Sequence, residues 1–532
     1  MHLKSAPHGR FILLTIVLAL AFSSFVFSSS AVFSNDTVRI EGGLISGVAA
    51  DGVRSFKGIP FAAAPAGELR WKPPQPLVAW EGVRECNAFG PDCPQAPYPA
   101  ASMYYSPPRK QSEDCLYLNV WTSAKPGEKR PVMVWIHGGA LTRGSGSTRT
   151  YDGTAFAKKG VLLITINYRL GPLGYLAHPE LTAESPNHSS GNYGVLDQIA
   201  ALKWVQKNVA AFGGDPKRVT IFGESAGSWS VNALVATPLA KGLFQRAIGE
   251  SGGQFGPGTF LKEDRPRLPS AEKIGVGFSK ACGADSIKAL RAVPAEKIID
   301  VFNNDTEGKK FRTQPVVDGW VLPDEIRNIF AQGKQNDVPV IVGSNANEMT
   351  TLTTPASVPK TMEDYRKRVE PQYGEMIKEF EAVYPVKSDA EVPGAWLAGL
   401  RDVTFTLPMR TWARMTATGR SKAWLYFFSH VPPNPNSNYL GAYHASEIAY
   451  VFSNLNRQNQ ALQDTDFKLA ELMSSYWVNF AATGDPNSKG LPKWTPYDRI
   501  SEPYMDLGDP VQMRNHLLKE QLDFLEQFQK RR

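Results

Sequence analysis

Six short runs in this chain are almost continuously apolar and end in turn residues. They are 131–139 (PVMVWIHGG), 161–169 (VLLITINYR), 218–225 (RVTIFGES), 246–253 (RAIGESGG), 338–345 (VPVIVGSN) and 423–430 (AWLYFFSH). Hydrophobicity without alternation predicts strands covered on both faces, as in parallel sheets. Helical periodicity separates them at 194–212, 225–235 and 466–483, and the last 23 residues read as a terminal helix ending in basic residues. Alternation of strand and helix predicts a doubly wound α/β fold with a large, mostly parallel sheet. Segments 255–312 and 351–420 lack strong strand signals and read as helical or loop insertions above that sheet.

The N-terminus breaks this pattern. Lys4 and Arg10 precede the apolar run FILLTIVLALAF, and a serine-rich stretch follows. Basic, apolar, then small residues is the order of a secretory signal. Ser29 and Ala31 suit a cleavage site, which predicts a signal peptide at 1–31 and one folded unit over 32–532, secreted or periplasmic. The alternative is an uncleaved anchor. No later run approaches the ~20 apolar residues a second membrane span needs.

Composition narrows the function. The 532 residues are 42% hydrophobic and 20% charged, enough for a large core. Loss of 1–31 removes Lys4 and Arg10 but no acid, taking the net charge from +7 to +5. With no long run of like charge, this argues against nucleic-acid binding. The four cysteines, Cys86, Cys93, Cys115 and Cys282, lack zinc-site spacing and in an exported chain can form disulfides.

The chemistry centres on Gly223-Glu224-Ser225-Ala226-Gly227. A predicted strand runs into it and a predicted helix leaves it. That is the setting of a nucleophile elbow, in which a strained turn exposes Ser225 Oγ. The turn also points the Ala226 N–H at a developing oxyanion. Upstream, the HGG loop offers the N–H groups of Gly139 and Ala140 as further oxyanion donors. A base must be a histidine: His444 leads in a loop before an apolar helix, with His430 as rival and His516 placed in the terminal helix. For the acid, Glu348 directly after a strand leads over Asp318. Either acid would orient the imidazole without taking its proton.

Together these segments resemble the type-B carboxylesterase/lipase family, which includes cholinesterases. FGGDPKRVTIFGESAG (212–227) and EDCLYLNVW (113–121) are similar to its two signatures, and the resemblance runs from about Val38 to Pro496. It implies an α/β-hydrolase fold, a small-molecule ester substrate, no metal or cofactor, and a triad of Ser225, Glu348 and His444. It also implies a Cys93–Cys115 disulfide. Cys282 resembles half of a second family disulfide whose partner position near Ala289 holds no cysteine, and Cys86 has no family partner, so both are expected to be unpaired or buried. Asn347 and Met349 depart from the Asp and Gly that usually flank the acid, so a differently shaped loop is expected there.

Two residues bear on specificity. Arg143, beside the oxyanion loop, could pair with a substrate carboxylate or simply bond loop carbonyls. Trp229, one turn after Ser225, could line the acyl pocket or fill the core. The expected activity is serine carboxylesterase. One alternative is a fumonisin-esterase-like hydrolase of bulky polycarboxylate esters. The other is a non-catalytic binding or adhesion homologue, disfavoured by the completeness of the motifs.

Overall fold

The computed structural model describes residues 37–266, 268–455 and 461–531. The signal-peptide expectation therefore lies outside the described residues.

Eleven strands form the central sheet. Along the chain they are β1 (Val48–Ala50), β2 (Val53–Pro60), β3 (Tyr117–Thr122), β4 (Arg130–Ile136), β5 (Leu162–Ile166) and β6 (Gly214–Glu224). There follow β7 (Arg246–Glu250), β8 (Val340–Asn345), β9 (Ala423–Phe428), β10 (Pro503–Leu507) and β11 (Gln512–Asn515). Their spatial order is β11-β10-β9-β8-β7-β6-β4-β5-β3-β2-β1. The seven strands from β5 to β10 run parallel, and antiparallel pairs close both edges. The β4/β5 exchange is the switch in strand order, and loops at the strand C-termini near such a switch hold the site. A separate three-stranded sheet comprises Thr37–Ile40, Gly43–Ser46 and Val83–Glu85.

The six runs read from the sequence are β4 to β9. Alternate side chains of β4 enter opposite cores: Val132, Val134 and Ile136 on one face, Met133 and Trp135 on the other. Each is fully buried, and burying one such aliphatic side chain is worth roughly 1.5–3 kcal/mol. The first face is covered by α1 (Tyr193–Asn208) and α2 (Ala226–Ala236), the second by α4 (Asp464–Thr483). Helix α3 (Leu407–Thr416) closes the insertion between β8 and β9. Arg414 on α3 makes a bidentate pair with Glu526 of α5 (Lys519–Arg531), at 2.8 Å to each oxygen.

Two expectations need correction. The terminal segment is not one helix: Gln512–Asn515 pairs as an edge strand against β10, and α5 begins only at Lys519. His516 and Leu518 have φ of 60° and 44°, which breaks a helix. His516 thus lies in the turn before α5. The strands β2, β3 and β10 also went unread, because apolar and polar residues mix in β2 and the sequence signal in 113–121 is motif-like rather than periodic. Among the described residues no helix is long and apolar enough to cross a membrane.

Candidate active site

Strand β6 ends at Glu224 and α2 starts at Ala226, so Ser225 alone makes the corner. Its backbone sits at φ 55°, ψ −120°, a conformation costly for a residue with a side chain. The turn is held by the Ser225 N–H, which donates to the Glu250 carbonyl at 2.8 Å, and by the Trp229 N–H, which donates to the Ser225 carbonyl at 2.9 Å. The flanking glycines are required by crowding. A Cβ on Gly227 would lie 2.0 Å from the Ile136 carbonyl oxygen, and one on Gly223 would lie 2.5 Å from the same atom.

The HGG loop leaves β4 beside this corner. A Cβ on Gly138 would lie 3.2 Å from Ser225 Cβ and 2.7 Å from the Glu224 carbonyl oxygen. Gly139, Ala140 and Leu141 all take positive φ, at 106°, 55° and 59°. His137 anchors the loop's base: its ring stacks on Tyr168 at 4.5 Å, and burial pushes its pKa down to about 4. Among the described residues the N–H groups of Gly139, Ala140 and Ala226 donate to no backbone carbonyl. The last is free because it heads α2.

His444 Nδ1 lies 2.5 Å from Glu348 Oε2. Glu348 is itself oriented by the Asn345 N–H, 2.7 Å from its Oε1. Asn347, which departs from the family pattern, ties the acid loop to the histidine loop. Its N–H donates to the Ala442 carbonyl at 2.9 Å and its Oδ1 accepts from the Ala442 N–H at 3.0 Å. Met349 opens the one-turn helix Met349–Leu352. Phe405 packs on the imidazole with ring centroids 4.8 Å apart.

The rivals lie elsewhere. His430 is engaged by Asp509 at 2.5 Å and by Asp466 at 2.9 Å. Asp318 accepts from the N–H groups of Trp320 and Leu322 and from the Ser189 hydroxyl, closing its own turn. Arg143 donates to the Ala96 carbonyl at 3.1 Å and to Asn303 Oδ1 at 3.4 Å, with its guanidinium over the Tyr98 ring. It bonds the loops around it. Trp229 packs against the main core and also lines an open cavity. Cys93 and Cys115 are bridged, whereas Cys86 and Cys282 are free thiols that burial pushes up to about 11.

Sequence reading missed a cluster of buried carboxylates. Glu224 Oε1 faces His444 Nε2 at 3.1 Å without the alignment of a hydrogen bond. Glu447, one turn past His444, accepts from the Asn345 side chain. Glu250 accepts from Trp477 Nε1 at 2.8 Å. Burial drives Glu224 well above the usual carboxylate range; His444 pulls it down, and Glu447 and Glu348 push it further up. Burial raises Glu250 strongly too, and raises Glu447 to about 7 with help from Glu348. Burial disfavours the imidazolium of His444, but Glu224, Glu348 and Glu447 outweigh it and lift the ring to about 9. Glu224 and His444 thus compete for one proton across 3.1 Å. When Glu224 holds it, the imidazole is neutral and can accept another. Both signals were present in the sequence: Glu224 is inside the pentapeptide, and Glu447 sits three residues after His444.

The chain as a whole matches known proteins. The model of the carboxylesterase family matches residues 34–525. The chain belongs to the carboxylesterase family. This carboxylesterase is 39% identical over 485 residues to the fumonisin B1 esterase of Sphingopyxis macrogoltabida, covering 88% of this chain and 86% of that protein. It is 35% identical over 493 residues to the para-nitrobenzyl esterase of Bacillus subtilis, covering 91% and 96%. A solved PNB esterase structure superposes with a TM-score of 0.79 at 34% identity, over 92% of this chain and all of that one. The α/β-hydrolase fold and carboxylic ester hydrolysis follow from the family.

Proposed function

We propose that this carboxylesterase cleaves its substrate through an acyl-enzyme on Ser225. His444 Nε2 accepts the Ser225 hydroxyl proton as Oγ attacks the ester carbonyl. Glu348 fixes Nδ1–H and stabilises the imidazolium that forms. The N–H groups of Gly139, Ala140 and Ala226 receive the oxyanion, an arrangement in which each donor is worth about 3 kcal/mol. The imidazolium returns its proton to the departing alcohol, and water then releases the acid by the same steps.

The supporting observation is a strained serine at a strand–helix corner, coupled with a buried Glu348–His444 pair at 2.5 Å. Ser225→Ala assayed on 4-nitrophenyl butyrate is the test: turnover collapses in this reading, and undiminished turnover by the folded variant rejects it.

We further infer that residues 1–31 direct export and that 32–532 act as one folded unit. The order of basic, apolar and small residues supports this, as does the Cys93–Cys115 bridge, since disulfides persist in oxidising compartments. N-terminal sequencing of the exported protein should read from near Val32. A retained Met1 would reject cleavage.

A further inference from the structure

A cavity of about 600 Å³ is lined by Trp229, one helical turn past Ser225. Trp229 and Gly253 form its near wall. Gly252, the neighbour of Gly253, packs against the backbone of the elbow: a Cβ there would lie 2.4 Å from the Ser225 carbonyl oxygen. Val403 and Thr404 continue the wall, and the next residue, Phe405, packs on the His444 ring. No residue of the oxyanion loop lines this space. It lies on the Trp229 and Phe405 side of the elbow, away from the oxyanion loop.

The cavity wall also carries Arg312 and Arg327. Arg327 donates from Nε to the Phe255 carbonyl at 2.8 Å and from one Nη to Gln529 Oε1 at 3.3 Å. Both acceptors are neutral. Arg312 is exposed, with no ion pair or hydrogen bond among the described residues. Beside it, the Thr313 hydroxyl oxygen is buried without a partner. Glu325 is the one acid on this wall among the described residues. Its Oε1 accepts from the Gly258 N–H at 2.7 Å and from Arg265 at 2.8 Å, so its charge is matched by a different arginine. One arginine on an open wall is an ordinary solvated charge. Here two guanidiniums without a carboxylate partner share one cavity wall with an unsatisfied hydroxyl.

We propose that Arg312 and Arg327, with the Thr313 hydroxyl, form a subsite that selects esters whose acid portion carries a further carboxylate. The inference rests on acylation at Ser225. It moves the carboxylate-recognition role from Arg143, which is tied to its own loops, to the opposite end of the site. A guanidinium presents a planar set of donors matched to a carboxylate. A carboxylate tethered to the reacting acyl group meets these donors at high effective concentration.

The test compares 4-nitrophenyl hydrogen glutarate with 4-nitrophenyl pentanoate, a neutral ester of equal acyl length. The ratio of their kcat/KM values falls about tenfold in Arg312→Gln or Arg327→Gln, and about 30- to 100-fold in the double variant. The double Lys variant retains charge and recovers part of the ratio. A ratio that stays within about threefold of wild type in the double Gln variant overturns the proposal. Glutarate binding to Ser225→Ala protein, measured by isothermal titration, gives a readout independent of turnover. It weakens at least about tenfold when both arginines become glutamine, and equal affinity overturns the subsite. Failure of wild type to hydrolyse either ester would instead sink the acyl-enzyme reading, and the titration would still judge the subsite.

Discussion

The two sides of Ser225 are opposite in charge and in access to water. Behind it, Glu224, Glu250, Glu348 and Glu447 are all at most 4% exposed; Glu224, Glu348 and Glu447 act on one imidazole, and Glu250 on Glu224 and Glu447. In front, the cavity wall offers Arg312 and Arg327 to an open space with one acid, already paired. Charge does different work in the two places. In the dry side, each carboxylate alters its neighbours' protonation, because little solvent screens them. In the open side, the arginines are hydrated and act only when a ligand replaces the water. The first region sets the protonation of His444, the base of the proposed mechanism. The second sorts substrates.

The largest way to break this contrast is on the dry side. Glu348→Gln keeps the shape but removes the charge beneath His444 Nδ1, and kcat for a neutral ester should fall about 10³- to 10⁴-fold. Steady-state assays on 4-nitrophenyl butyrate check this, and a loss below tenfold would show that another carboxylate serves as the orienting acid. Next comes the oxyanion loop. In Gly138→Ala the new methyl would lie 2.7 Å from the Glu224 carbonyl oxygen. The loop must shift, and kcat should fall about 10²- to 10³-fold, the cost of a misplaced donor.

Glu224→Gln gives a smaller change in rate, about tenfold, but an informative change in pH dependence. Glu224 helps raise His444 to about 9. A raised histidine is a competent base only as pH climbs through its pKa. Removing the carboxylate lowers that pKa, so the rising limb of kcat/KM moves to lower pH. A limb that stays in place would mean that Glu224 holds its proton throughout and exerts no pull. The smallest effect comes from salt. Raising ionic strength from about 0.01 M to about 1 M shortens the Debye length from about 30 Å to about 3 Å. Turnover of the glutarate ester should drop several-fold relative to the pentanoate ester, while the limb set by buried carboxylates moves little. Equal responses would erase the distinction between the two sides.

The readability of these parts in the sequence follows how local each one is. The elbow is legible because strand, corner and helix are contiguous, and steric demand fixes Gly223 and Gly227. The core strands β4 to β9 are legible because burial on both faces makes them apolar throughout. His444 and Glu348 led their rivals by position in the sequence, yet the ties that bring their two loops together, Asn347 to Ala442 and Asn345 to the Tyr443 carbonyl, are tertiary. The carboxylate cluster was harder. Glu224, Glu250 and Glu447 come from three separate segments and come together through tertiary packing. Arg312 was illegible, since it lies in a loop with no periodicity and its meaning depends on the absence of a nearby acid. The over-long terminal helix failed for a different reason: an apolar helical pattern from 517 onward hid an edge strand that exists only because β10 offers it an edge.

The central claim is a covalent intermediate on one serine. Rapid quenching of wild-type protein mixed with 4-nitrophenyl butyrate, followed by peptide mapping, tests it directly. The account predicts a butyryl adduct on the peptide carrying Ser225 and on no other, absent from Ser225→Ala. Turnover that proceeds with no adduct at Ser225, or with an adduct at a different residue, would contradict it.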